Sequence, residues 1–162
     1  MNRRRRGSAM LEYVLVGIPS LLLSLSVFEV SMAMWQYHTM AEASQIAARY
    51  IVTHGSTCNC AVNVGNIATV VQNSAVGLTP ANINLTLTSS HLTVTCAVSS
   101  CITGSNASTA FPPIQDSTAG NAITVAMTYK VVNPLVMYWP GGVQMQDHSY
   151  TLGAQSLQEI LY

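Results

Sequence analysis

The chain changes period twice along its length. Residues 8–54 run without a strong helix breaker until His54-Gly55-Ser56 and read as one long helix. Residues 13–28 of it carry no charge, and their apolar side chains (Tyr13, Val14, Leu15, Val16, Ile18, Leu21, Leu22, Leu23, Leu25, Val27, Phe28) cover every side of a helix. From Trp35 onward the pattern becomes amphipathic: Met40, Ala43, Ile46, Ala47, Tyr50 and Ile51 recur at helical spacing. At about 1.5 Å per residue the whole element is roughly 70 Å long. Pro19 predicts a kink in the apolar half, because it removes one backbone donor and crowds the preceding turn.

Residues 55–65 are rich in Gly, Ser, Asn and Cys and read as a turn region, and residues 66–76 as a short helix ended by Gly77-Leu78-Thr79-Pro80. The period then drops to two. Residues 82–88 and 91–98 alternate polar and apolar as half-buried strands do. Residues 104–120, with Pro112-Pro113, read as a loop. Residues 121–132 predict a strand with Ile123, Val125, Met127, Tyr129 and Val131 on one face, stopped by Asn133-Pro134. A short apolar piece at 135–139 closes on Pro140-Gly141-Gly142, and residues 143–154 are a last strand. The expected class is α+β: a long N-terminal transmembrane and amphipathic helix, then a small antiparallel sheet.

Composition sharpens this. Charged residues are only 7% of the 162, far below the roughly 25% of soluble domains. Six basic and six acidic residues cancel, yet four of the basic ones are Arg3, Arg4, Arg5 and Arg6. The remainder keeps Arg49 and Lys130 against six acids, which disfavours nucleic-acid binding. A basic block before an apolar segment keeps that end in the cytoplasm and sends the chain beyond the segment across the membrane. The span is expected over about residues 13–34, with Trp35 and Tyr37 where interfacial aromatics belong. Residues 55–162 then form a β-rich extracytoplasmic domain.

Four cysteines, Cys58, Cys60, Cys96 and Cys101, fit two disulfides in an exported domain. A Cys58–Cys60 ring would be very small, so bridges joining the 58/60 pair to the 96/101 pair are preferred, with a local Cys96–Cys101 bridge as the alternative. His54 and His91 lie near the cysteines, but C-x-C and C-x4-C are not zinc-finger spacings, and no metal or cofactor is expected. No catalytic constellation emerges. Asp147-His148-Ser149 are strand neighbours pointing to opposite faces, and Asp116-Ser117 lie in a loop without a nucleophile turn. Gly141-Gly142 is a turn with no phosphate-binding pattern after it, and the chain is read as a non-enzyme.

The unusual residue is Glu12, an acid at the entrance of an apolar span. Burying it in lipid costs on the order of 2.5 kcal/mol or more. Near the headgroups it would instead complement the positive end of the helix. Glu29, with Phe28 before it, either lies just beyond the span or is a second acid within it. Arg49 is expected to form ordinary surface pairs with Glu42 and Gln45.

Three segments resemble the TadE-like family of pseudopilins, minor components of tight-adherence, Flp-type pili related to type IV pili. They are Arg6-Gly7 to Glu12-Tyr13, then Phe28-Glu29 with Ala47-Ala48-Arg49, and more loosely residues 122–142 with their Asn-Pro-Leu-Val and Pro-Gly-Gly. The resemblance implies a pilin-like fold, a leader of residues 1–7, and cleavage by a prepilin peptidase between Gly7 and Ser8, which makes Glu12 the fifth residue after the cut. It also implies assembly through Glu12 and Tyr13. The new amine at Ser8, a cation, would pair with Glu12 of a neighbouring subunit and offset the burial of both charges. The implied partners are other pilin or pseudopilin subunits, the prepilin peptidase, the inner-membrane assembly platform and membrane lipid. The implied location is the bacterial inner membrane, with the N-terminus cytoplasmic and the C-terminal domain periplasmic, or an extracellular pilus used in adhesion. The competing expectation is a secreted or bitopic binding domain, with residues 1–33 as signal peptide (Ser31-Met32-Ala33 is a small-x-small site) or signal anchor.

Overall fold

The computed structural model describes residues 5–54, 62–132 and 149–160, with the backbone alone at 5–9 and 132. The class is α+β, a long apolar N-terminal helix followed by a small four-stranded antiparallel sheet. Helix α1 spans Arg5–Thr53 and carries Pro19 without interruption. The chain divides into two compact units, Met1–Gln36 and Tyr37–Tyr162.

The first unit is the apolar helix itself. Met10, Tyr13, Leu15, Val16, Leu23 and Phe28 are each more than 60% exposed. Its hydroxyls are satisfied locally: Ser24 donates to the Ser20 carbonyl at 3.0 Å, Ser26 to Leu22 at 2.8 Å and Ser31 to Val27 at 2.8 Å. Such back-bonding lets serines sit on an apolar helix without stranded donors.

The second unit has its own core. Strands β1 (Ile83–Thr88), β2 (Thr93–Ala97), β3 (Ala122–Val132) and β4 (Ser149–Glu159) lie in the order β2-β1-β3-β4, all antiparallel. The period-two pattern sets the buried face: Ile83, Leu85 and Leu87 from β1, Ile123, Val125, Met127 and Tyr129 from β3. Leu85 stands opposite Cys96 on one side and Met127 on the other, at the centre of the sheet. Met40, Ala43, Ala47, Ala48 and Ile51 of α1 join the same core, as do Val64, Ile67, Ala68 and Val71 of helix α2 (Val64–Ser74). The small residues of α1 permit close packing on that face, while Glu42, Gln45, Ile46 and Arg49 stay exposed.

Three elements differ from the sequence expectation. Residues 98–103 form a short helix, α3 (Val98–Thr103), rather than a strand end and loop. Its Val, Ile and Thr are poor helix formers, so local propensity conceals it. Strand β4 runs to Glu159, five positions beyond the expected end at 154. Its buried positions there are the small Ala154 and Ser156, whereas Leu157 is 62% exposed, so hydrophobicity marks the wrong face. Its expected start at 143–148, and the 133–142 turn with Asp147-His148, lie outside the described residues. Thirdly, among the described residues no ion pair joins Arg49 to Glu42, because seven residues, about 10.5 Å of helix, is beyond the two side chains' contact.

The loop before β3 is built into the fold through α2. The first two donors of that helix would be orphans. Val64 N–H donates to the Thr109 carbonyl at 2.9 Å and Gly65 N–H to Ala107 at 3.0 Å, while Phe111 N–H returns to Val62 at 2.9 Å. A Cβ at position 65 would sit 3.0 Å from the Ala107 oxygen, which is why glycine fits this close approach.

Candidate functional site

The residues expected to act in assembly all lie on α1. Gly7 and Ser8 are within its helical backbone. Glu12 and Tyr13 are exposed, Tyr13 at 79%. Glu29 is half-buried, and its Oε1 is screened from solvent without a hydrogen-bond partner. Gln36 Oε1, one heptad further on, is in the same condition. Among the described residues, α1 is the helix long and apolar enough to cross a membrane, and none of its apolar window is buried. An apolar surface of that extent is stable in water only when something covers it.

A family comparison falls on the same helix. Residues 7–49 match the family model of TadE-like proteins. The match covers Gly7 to Tyr13, Phe28-Glu29 and Ala47-Ala48-Arg49, and it ends before the sheet, so the loosely similar stretch at 122–142 lies outside it. No curated protein and no solved structure matches the chain. The match covers about a quarter of the chain, and the helix it covers is long and apolar enough to cross a membrane.

Of the four cysteines, Cys96 and Cys101 are joined in a disulfide, with Cα atoms 5.6 Å apart. The local bridge is therefore the one formed, and the preferred cross-pairing of 58/60 with 96/101 is not. The reason is α3: its first turn brings position 101 back over the end of β2, a fold that C-x4-C spacing alone does not reveal. Cys58 and Cys60 lie outside the described residues.

The fold also brings together a pair that the sequence kept apart. Asp116, in a 3-10 turn (Ile114–Asp116), is only 1% exposed and accepts the His91 backbone N–H on Oδ2 at 2.9 Å. Its Oδ1 meets His91 Nδ1. The His91 side chain, Ser89 and the His91 backbone hold the Asp116 carboxyl well below its ordinary 3.8, at about 2, although burial opposes the shift. A carboxylate holding an imidazole is half of a catalytic relay. Here the Ser89 hydroxyl donates to the Leu92 carbonyl at 3.2 Å, and Ser89 stands on the carboxylate side of the pair rather than against the ring. The arrangement pins the β1–β2 turn to the loop before β3. Only the sequence separation concealed it: 25 residues divide the partners.

Proposed function

We propose that this chain is a minor pilin or pseudopilin, cut by a prepilin peptidase between Gly7 and Ser8 and assembled through α1 into, or at the base or tip of, a tight-adherence pilus. The observation that carries this reading is the TadE-like match over residues 7–49 on a helix whose apolar surface nothing else in its unit covers. Residues 1–7 serve as leader. Arg3 to Arg6 hold that end in the cytoplasm, and the sheet domain faces the periplasm and then the exterior. The Cys96–Cys101 disulfide supports that side, since disulfides persist in oxidising compartments.

Before assembly, lipid covers residues 13–34. In the pilus, helices of other subunits replace it. The Ser8 amine pairs with Glu12 of a neighbour, so a charge that is costly in hydrocarbon becomes the group that selects the correct axial register. Partners are then the peptidase, the inner-membrane platform and other subunits, with adhesion as the function of the fibre.

The deciding experiment is intact-mass and N-terminal peptide analysis of the protein from membranes of a host with its prepilin peptidase. A start at Ser8 is expected. A start at Met34 would make it a soluble exported domain, a start at Met1 a bitopic protein, and either sinks the proposal.

A further inference from the structure

Residues 37–53 of α1 bury one side in the domain core and leave the other to solvent. On that exposed side stand Glu42 and Arg49, the acid and the base of this stretch, with Ile46 between them. Charges are scarce in this chain, and among the described residues neither of these two has an ion-pair partner. Seven residues is close to two turns, so both lie on one face, about 10.5 Å apart along the axis.

We propose that this face docks a second, parallel copy of the same chain, displaced along the helix by about seven residues so that Arg49 of one copy meets Glu42 of the other. The charge pattern selects that geometry. With no displacement, parallel copies set Glu42 against Glu42 and Arg49 against Arg49, and like charges repel. An antiparallel pair would satisfy both contacts at once, but two copies anchored in one membrane by the same helix end run parallel. A displacement of two turns instead brings Arg49 of one copy level with Glu42 of the other, and Ile46 then contributes apolar contact beside the ion pair.

The inference rests on the proposed function, which anchors both copies in one membrane by α1.

The test uses full-length chains in a host with the pilus machinery. Glu42→Arg and Arg49→Glu, expressed singly, are expected to lower incorporation into sheared fibres at least tenfold. Co-expressing the two single variants should restore it, because each then supplies the charge the other lacks. A pairing inside one chain cannot be rescued by mixing, so failure of co-expression to rescue overturns the proposal, as does normal incorporation of both single variants. Differently tagged copies carrying Glu42→Cys and Arg49→Cys give the second readout, a 42–49 adduct in membranes or fibres. Fibres that contain the protein but no adduct overturn the displaced contact and leave the pilus reading standing. An adduct in membranes from a chain that never enters fibres retains the contact and overturns the pilus reading instead.

Discussion

His91 presents its backbone N–H to Asp116 Oδ2 at 2.9 Å while its ring nitrogen Nδ1 meets the other oxygen of the same carboxylate. One buried acid thereby anchors a turn whose imidazole is itself 64% exposed. Because the folded-state pKa of Asp116 lies below the unfolded value, its contribution is fully present above pH 3.8 and is lost as the pH falls through about 2. Thermal melts between pH 5 and pH 2 should show wild type losing stability more steeply than Asp116→Asn. Equal slopes would remove the pin as a source of stability. His91→Ala should lower the melting temperature at neutral pH while leaving the disulfide intact.

Glu12→Ala should insert and be cleaved like wild type and yet be absent from sheared pili. The substitution removes a charge that is costly in lipid, so insertion becomes easier, while the partner for the neighbouring amine disappears. Quantitative immunoblots of membrane and fibre fractions check this, and normal piliation would end the assembly role of Glu12.

Gly65→Ala should destabilise the domain by about 1–3 kcal/mol. The new methyl would stand 3.0 Å from the Ala107 oxygen, which already accepts the Gly65 N–H. Moving that carbonyl away stretches the hydrogen bond that caps α2. Urea unfolding of the purified protein in detergent reads the effect, and an unchanged midpoint would show that the loop yields freely.

Replacing both Cys96 and Cys101 with Ala should cost about 2 kcal/mol, the loop-entropy value for so short a closed loop, and leave the sheet folded. Protease resistance and urea midpoints, compared with the oxidised wild type, measure it. Complete unfolding would mean that the bridge, rather than the core around Leu85, organises this end of the sheet.

The long helix, its apolar half and three of the four strands are legible in the sequence because each is a local pattern. The 3.6- and 2-residue periods of Met40 to Ile51, of Ile83 to Leu87 and of Ile123 to Tyr129 record which side is buried. The TadE-like match over residues 7–49 is likewise contiguous. Tertiary structure alone decided the rest. It turned Val98–Thr103 into a helix against its propensity, closed Cys96 on Cys101, extended β4 through small inward residues, and joined His91 to Asp116. Each of these depends on which distant segments pack together. A period along the chain states which face a residue takes, and it is silent on what meets that face.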